Sequence, residues 1–447
     1  MGYQKKLADF HIHSLYSFDA VLSPEEIVDA ANHNNASWIA ITDHNNLEGV
    51  CSLWDKSGTK YNIPIAEYKS VNVVSGVEVT CRVSAVNNYN HRSCKVHLLV
   101  YGASLDKNSP LVSLMETKHN NDRDVDFGLL EYMLSLKPNH KITEKHIRKF
   151  IQEKRKERPG YSTMSNADIY EFLNKHGITV AKSYKQFMEL VKDAPKFDRI
   201  NIEAQDLIDI AHASGGIVIM AHPAHNLRRT AEPEELIREL IAAGIDGFET
   251  SYVGVSDKTN DMIARVVEEE EKTGSMIYTG GSDTHSLING NKIGLFDKQE
   301  ITTRSQRTFI KEMENLRLAR MAGKLSHRTY ENELSKQGIE DILEMYELLA
   351  ACALVEDEKP KVKTKLQVMP KLTRKKIKKQ QKREKKLKAK IKKERRSQRD
   401  EERLLDIETN LDDAYASYLE YMKLKYGKSS NLTDDVFTEE DFLDKSE

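Results

Sequence analysis

Short apolar runs alternate with amphipathic helical patterns along the first 300 residues. Strands that alternate with helices favour parallel βα units, and near-continuous apolar strands fit a sheet covered on both faces. Seven such units predict an α/β fold with a closed or nearly closed TIM-like barrel, whose site lies at the C-terminal ends of the strands. The predicted strands cover residues 7–13, 38–44, 71–78, 96–101, 216–222, 245–249 and 275–283.

A long helical and polar stretch interrupts this alternation after the fourth strand. A connection of that length is better explained as an inserted subdomain than as a loop. We therefore predict two barrel parts at residues 1–102 and 203–300, with an inserted helical subdomain at 103–202. The predicted C-terminal extension consists of a helical segment at 301–358, a basic helical arm at 359–399 and an acidic tail at 400–447.

The net charge of −2 conceals strong segregation of charge. Residues 359–399 carry +19, residues 400–447 carry −10, and the preceding body carries −11. The basic arm has almost no aromatic residues, so it could bind nucleic acid through phosphates and without sequence preference. Nucleic acid is the favoured partner, but the arm could instead pair with the acidic tail or with a partner protein, and the C-terminal helices could self-associate, including as a coiled coil. The sequence leaves these alternatives open.

Composition narrows the class of protein. Hydrophobic residues make up 39% of the chain, which suffices for a core, but there is no run of 18 apolar residues, so no membrane span is expected. Four cysteines without a CxxC pair do not form a disulfide scaffold. We therefore expect a reduced, cytoplasmic protein.

Imidazole or carboxylate groups lie at or near the end of almost every predicted strand. The HxH spacing of His11 and His13 puts both rings on one face of the first strand. Each residue alone is compatible with an ordinary core or surface position, but their joint occurrence at seven strands is hard to explain by packing. The set consists of His11, His13, Asp43, His44, Glu78, His97, His222, Glu249, Asp283 and His285.

Imidazole and carboxylate ligands without thiolate suit zinc, manganese or iron. Six histidines with carboxylates are too many for one tetrahedral ion, so two or three divalent ions bridged by a carboxylate are the simpler interpretation. Such a site suits hydrolysis of phosphate esters, because it generates hydroxide near neutral pH and neutralises the phosphate.

Several segments resemble the metal-dependent phosphoesterases of the PHP (polymerase and histidinol phosphatase) family. They are ADFHIHSLYSFDA with the following stretch to NNLEGV, and then GVEVT, KVHLLVYG, MAHPAH, DGFET and GSDTH, in the family's order. The resemblance covers about residues 6–102 and 206–294. It implies a distorted seven-stranded (β/α) barrel with a two- or three-metal site.

The resemblance also implies which residues hold each ion. His11, His13, Glu78 and Asp283 would hold the first, and a bridging Glu78 would hold the second with His97 and His222. His44, His285 and an acid after the first motif would hold the third. The family's usual HxHSxxSDG places that acid at position 18, where this chain has Phe18, and Asp19 follows one residue later.

Three further residues are candidates for catalysis. Asp43 is expected to orient an imidazole, His225 to donate a hydrogen bond or a proton to the substrate phosphate, and Glu249 to line the pocket. His225 could instead merely begin a helix.

The predicted activity is hydrolysis of phosphate esters of nucleotides or nucleic acid, by a phosphatase or a nuclease. The alternatives are a small-molecule phosphatase whose arm docks a partner, and a catalytically silent nucleic-acid-binding protein. Neither a P-loop nor a GxSxG nucleophile motif is present. Basic residues of the insertion could cap the barrel mouth and bind substrate phosphates: Arg148, Lys149, Arg155, Lys156 and Arg158.

Overall fold

The structure is a computed structural model that describes residues 6–86, 93–157, 164–194, 199–252, 254–287, 293–296, 299–324 and 334–352. The basic arm and the acidic tail lie outside the described residues. Within the described part, none of the helices combines the length and the apolar character needed to cross a membrane. The chain divides into two compact units, and all strands belong to the first, which draws on Met1–Glu116, Lys149–Ser162 and Asn201–Ile339.

The first unit is built on a sheet of nine described strands, and its main path contains the seven predicted ones. In chain order the strands of the whole unit are β1 (Leu7–Ile12), β2 (Ala36–Ile41), β3 (Ile65–Tyr68), β4 (Val71–Val86), β5 (Ser93–Tyr101), β6 (Ile202–Glu203), β7 (Ile217–Met220), β8 (Gly247–Ser251), β9 (Ile277–Gly280), β10 (Leu295–Phe296) and β11 (Gln299–Glu300). The path runs β1-β2-β4-β5-β7-β8-β9, β3 and β6 pair with β4, and β10 pairs with β11.

One strand of the path departs from the predicted parallel arrangement. β5 is antiparallel to both of its neighbours, β4 and β7, whereas the other four pairs of the path are parallel. The cause is the short connection from Val86 to Ser93, which has no room for the crossover helix that parallel strands require. The prediction of parallel units throughout is therefore wrong at β5, while the mostly parallel α/β fold holds.

The two end strands of the path lie side by side where they approach the candidate site. An isolated parallel bridge joins Ile12 to Thr284, and the Asp283 N–H donates to the His11 carbonyl oxygen at 2.8 Å. The His13 N–H donates to the Thr284 carbonyl oxygen at 3.0 Å. These bonds bring the residues after β9 against the end of β1. Full closure of the barrel stays a prediction.

The helices occupy most of the connections and the predicted insertion. α1 begins with a capping box in which Ser23 and Glu26 exchange hydrogen bonds with each other's backbone N–H. The described helices are α1 (Pro24–His33), α2 (Glu48–Ser57), α3 (Pro110–Ser135), α4 (Glu144–Glu157), α5 (Asn166–Lys175), α6 (Tyr184–Asp193), α7 (Ala204–Ala213), α8 (Pro223–Leu227), α9 (Pro233–Ala242), α10 (Asp257–Glu269), α11 (Arg307–Met321) and α12 (Lys336–Cys352). The predicted domain boundaries stay a prediction.

Apolar strand residues and α11 form the core beneath the site. Phe309 of α11 packs edge-on against Phe10 of β1 and Tyr101 of β5, with ring centroids 4.5 and 4.9 Å apart. All three side chains are fully buried. The core therefore fixes β1 and β5, the strands that carry His11, His13 and His97 or lead directly to them.

Candidate metal centre

The carboxylate of Glu78 lies at the centre of the histidine cluster. β4 carries Glu78, which is fully buried, and parallel strands deliver the neighbouring histidines to the same edge of the sheet. Because β5 runs the opposite way, it presents His97, in the middle of the strand, to this edge. Oε1 of Glu78 lies 2.8 Å from Nδ1 of His97 and 3.0 Å from Nε2 of His222, and Oε2 lies 2.9 Å from Nδ1 of His44, 3.3 Å from Nε2 of His13 and 3.5 Å from Nε2 of His11.

Asp283 closes the cluster from the loop after β9. Its Oδ1 lies 3.4 Å from Nε2 of His11 and 3.2 Å from Nε2 of His13. The backbone of Asp283 has a φ of +52° and that of His222 a φ of +27°, conformations that side-chain-bearing residues rarely adopt. Such strain concentrates at functional sites, where surrounding structure holds it in place.

Asp19 reaches the site although it stands one position later than the family pattern places its acid. Its Oδ2 lies 3.4 Å from Nε2 of His44 and 3.4 Å from Nε2 of His285. The loop that carries Asp19 is tied to the site by the Val21 N–H, which donates to the His285 carbonyl oxygen at 3.1 Å. All nine residues predicted as metal ligands thus lie in one cluster, and their binding of metal stays a prediction.

The arrangement of these groups fits divalent metal ions. Nε2 of His11 and Nε2 of His13 face each other at 3.1 Å, a spacing close to that of two ligands on one ion with bonds of about 2.1 Å. Oε2 of Glu78 and Nδ1 of His97 are buried without a hydrogen-bond partner, although other ring and carboxylate atoms approach them closely. Four groups of three ligand atoms could each hold an ion: His13, His44 and His285; His11, Glu78 and His222; His11, His13 and Asp283; and His44, Glu78 and His97.

Electrostatics within the cluster favour charged carboxylates. Burial alone would raise the pKa of Glu78, but the adjacent imidazoles, His11 foremost, bring it well below its usual range. Burial alone would lower the pKa of His11, but Asp283, Glu249 and Glu78 raise it well above the ordinary value of 6.5. A cation at the centre would replace the proton that these carboxylates favour on His11.

Asp43 acts on His13 through a serine rather than directly. Its carboxylate accepts hydrogen bonds from the Ser14 N–H at 2.6 Å, the Ser14 hydroxyl at 2.7 Å and the Ser17 hydroxyl at 3.0 Å. Oγ of Ser17 lies 3.1 Å from Nδ1 of His13 and accepts from the His44 N–H at 3.0 Å. With Nδ1–H of His13 bound to Ser17, its Nε2 lone pair faces Glu78 and Asp283.

Replacing Ser17 with alanine is expected to weaken the apparent affinity for Mn²⁺ about tenfold, because the ring of His13 loses the acceptor that orients it. Calorimetric titration of the metal-stripped protein measures this affinity. Ser52→Ala is the matched control, because it removes a hydroxyl that donates to the Gly49 carbonyl oxygen within α2. Equal affinity in the Ser17 variant and the wild type would contradict the role assigned to Ser17.

Glu249 contacts the ring of His11 and the backbone of His222. β8 carries Glu249, which is fully buried. Its Oε1 lies 3.3 Å from Nδ1 of His11, and its Oε2 accepts from the His222 N–H at 2.7 Å. These contacts leave Nε2 of His11 directed at Glu78 and Asp283. These contacts suit a residue that positions ligands, and the predicted place of Glu249 in the pocket stays a prediction.

Changing Glu249 to glutamine is expected to lower Mn²⁺ affinity about 100-fold, because the amide NH₂ group would face either the His11 ring N–H or the His222 N–H. The fold should survive this near-isosteric change. Metal titration together with a thermal melt separates the two effects, and Glu268→Gln on the exposed face of α10 serves as the control. Unaltered metal affinity in Glu249→Gln would rule out a positioning role.

His225 lies beside the cluster rather than within it. It is exposed on α8, with its ring centroid 5.6 Å from that of His222 and its Nδ1 3.3 Å from an Arg228 guanidinium nitrogen. Partial burial and the positive charges of Arg229 and its neighbours lower the pKa of His225 to about 4. The hydroxyl of Tyr252 accepts from the Ala224 N–H at 2.7 Å and anchors this helix.

Asp9, which was not among the predicted site residues, anchors the loop that carries Asp283. The Asp9 carboxylate is fully buried and accepts from the Ser282 N–H at 2.8 Å and the Gly294 N–H at 2.7 Å. Burial, partly offset by these hydrogen bonds, raises the pKa of Asp9 to about 6. The sequence signal is the DxHxH pattern along β1 and the residue after it, in which alternate positions carry Asp9, His11 and His13.

The basic residues of the insertion are only partly described. Arg148, Lys149, Arg155 and Lys156 lie on α4, whereas Arg158 lies outside the described residues. Their contact with substrate stays a prediction.

Comparison with known proteins finds a family match for part of the chain. Residues 9–206 match the PHP domain family. The chain is 25% identical over 286 residues to a 5′-3′ exoribonuclease of Haemophilus influenzae, a match that covers 63% of this chain and 90% of that protein. It is 23% identical over 294 residues to a phosphoribosyl 1,2-cyclic phosphate 1,2-diphosphodiesterase of Eggerthella lenta, covering 62% and 94%.

A solved structure from Bifidobacterium adolescentis, of a protein assigned as a metal-dependent phosphoesterase, is also similar. It shares 21% sequence identity with this chain at a TM-score of 0.46 and covers 70% of this chain and 98% of its own. The family resemblance predicted from the motifs is confirmed by the match over residues 9–206.

Proposed function

We propose that this chain, whose residues 9–206 match the PHP domain family, hydrolyses phosphate esters of nucleotides or nucleic acid at a centre of two or three divalent ions. The family match supports the predicted phosphoester hydrolase. The observation that carries the proposal is the gathering of six histidines with Asp19, Glu78 and Asp283 in one cluster, where a metal would satisfy buried atoms that lack hydrogen-bond partners.

The ligand set follows from the contacts of each side chain. We assign His11, His13, Glu78 and Asp283 to one ion, and we assign Glu78 as the bridge to a second ion. His97 and His222 complete that second site. His44, His285 and Asp19 form a third site, which is the most exposed of the three. Manganese, zinc and iron all suit these ligands.

Bound divalent ions would supply a hydroxide at neutral pH and neutralise charge on the phosphate. The protein's own residues hold the ligands in place: Asp43 acts on His13 through Ser17, and Glu249 acts on His11. His225, with Arg228 and Arg229 beside it, is placed to donate hydrogen bonds to phosphate oxygens at the edge of the site. Together these groups would bind and orient a phosphate ester.

The names of the two relatives support a ribose phosphodiester as the reacting group. One is named an exoribonuclease and the other a diphosphodiesterase of a phosphoribosyl cyclic phosphate. At 25% and 23% identity these names favour a substrate class and leave the choice between polymer and small nucleotide open. The complete ligand set disfavours the catalytically silent alternative, because a decayed site loses ligands.

We further propose that the basic arm at 359–399 captures nucleic acid. A charge of +19 suffices to neutralise many phosphates, and the affinity would then fall steeply with salt. Docking of a protein partner or self-association through the C-terminal helices is the alternative. A reducing, cytoplasmic setting is part of the proposal, since Cys51, Cys81 and Cys94 are free thiols.

Mass spectrometry of the reaction products tests this function. The manganese-loaded full chain is incubated with a 5′-phosphorylated single-stranded oligonucleotide and a nucleoside 3′,5′-bisphosphate. Asp283→Asn is the inactive control, and Asp261→Asn, at an exposed position of α10, is the matched active control. Shortened oligonucleotides indicate a nuclease, whereas inorganic phosphate without shortening indicates a phosphatase. Unchanged substrates, or equal products from the Asp283 variant, would refute the proposal.

A further inference from the structure

An exposed phenylalanine stands at the edge of the metal centre. Phe18 is 72% exposed, the largest exposed fraction among the large hydrophobic side chains of the described residues. Its ring stacks on that of His44, with centroids 5.3 Å apart and planes at 23°. Exposing so much apolar surface has a free-energy cost, and a contiguous exposed apolar patch commonly marks a binding site.

The loop that carries Phe18 is fixed on both sides of this residue. Ser17 is bound to Asp43 and to the His44 N–H, and Asp19 lies 3.4 Å from both His44 and His285. The Leu15 N–H donates to the Leu22 carbonyl oxygen at 2.7 Å and closes the loop at its base. Phe18 is therefore held in place, which keeps the entropic cost of binding low.

Other exposed apolar side chains lie close to the same edge. Val21, 55% exposed, belongs to the same loop, and its N–H bonds the carbonyl oxygen of His285. Leu287, 38% exposed, follows His285 by two residues. Three of the seven exposed large hydrophobic residues among the described ones thus lie within two positions of Asp19 or His285 in the chain. The chemistry of this edge is aromatic and apolar, directly beside a site suited to phosphate.

We propose that Phe18 is a stacking platform for the nucleobase of the substrate, next to the phosphate at the metal centre. A planar base presents a π-face to the ring, and such stacking tolerates every base. The inference deepens the proposed function, on which it rests, by restricting the substrates to phosphate esters that carry a base. Phe18 would determine specificity and would leave the chemical step to other residues.

Two probes that differ only in the base test the platform: adenosine 5′-monophosphate and ribose 5-phosphate. Their affinities for the manganese-loaded full chain are measured as Kd, or as KM where the probe is hydrolysed. In Phe18→Ala we expect about a tenfold loss of affinity for the nucleotide and less than about a twofold change for the sugar phosphate. Phe18→Trp should restore nucleotide affinity.

Leu318→Ala is the matched control, since it removes another exposed apolar side chain, 56% exposed, from α11. The platform would be overturned if Phe18→Ala lost affinity equally for both probes or for neither. It would also be overturned if the wild-type chain did not bind the nucleotide. Base-dependent binding without hydrolysis of any ester would support the platform and refute the proposed function. Hydrolysis that is equally efficient with both probes and insensitive to Phe18→Ala would overturn the platform and support the proposed function.

Discussion

Replacing Glu78 with glutamine is expected to abolish hydrolysis, by about three orders of magnitude or more. Glu78 is the one carboxylate that contacts five imidazoles, at distances of 2.8 to 3.5 Å. The amide keeps the shape but removes the negative charge that a bridging ligand supplies to two cations. We therefore expect the variant to fold and to lose bound metal. Elemental analysis of the purified protein, with phosphate-ester turnover, measures both effects.

Glu67→Gln is the matched control, because this residue is exposed on β3 in the same unit. It should keep wild-type metal content and rate. A folded Glu78→Gln protein with the full metal complement would show that Glu78 does not bridge the ions.

Replacing Gly281 with alanine is expected to destabilise the first unit by about 2–3 kcal/mol and to remove the metal centre. A Cβ at this position would lie 2.1 Å from Cβ and 2.6 Å from the backbone nitrogen of His11. These atoms belong to the main chain and Cβ of His11 in β1, so they cannot move without disturbing the strand. The displaced segment carries Asp283, which would move away from His11 and His13. Thermal melts and metal content check the two parts of this expectation.

Gly274→Ala provides the comparison, because a Cβ there meets nothing within 4 Å. Its stability should stay within about 0.5 kcal/mol of the wild type. A Gly281→Ala protein with an unchanged melting temperature and normal metal content would show that β1 and the end of β9 are not in the close contact described.

Local patterns predicted the strands and one helix start well, because these depend on neighbouring residues. All seven predicted strands occur in the main sheet path, and Ser23 and Glu26 form the expected capping box. The direction of β5 was mispredicted, because the predicted strands at 71–78 and 96–101 leave residues 79–95 between them, enough for a crossover, whereas the observed strands extend to Val86 and from Ser93 and pair as a hairpin. Apolar content identifies a buried strand but not its direction, which depends on the length of the connection.

The candidate ligands could be predicted because they follow strands, whereas the residues that hold them could not. Asp9, Ser14 and Ser17 act through contacts that depend on tertiary structure. The sequence left open whether Asp19 reaches the third candidate metal site, because it stands one position later than the family pattern. The path of its loop in the structure shows that it faces His44 and His285. Single polar residues near a strand carry too little pattern to reveal such partners.

The number of divalent ions bound per chain tests the central claim most directly. The full chain is stripped of metal, reloaded with Mn²⁺ and analysed by mass spectrometry under non-denaturing conditions, alongside phosphate-ester turnover. We expect two or three ions per wild-type chain, loss of turnover on chelation and its return on reloading, and fewer ions in Asp283→Asn. A wild-type chain that binds less than one ion, or that hydrolyses esters equally well in chelator, would contradict the account.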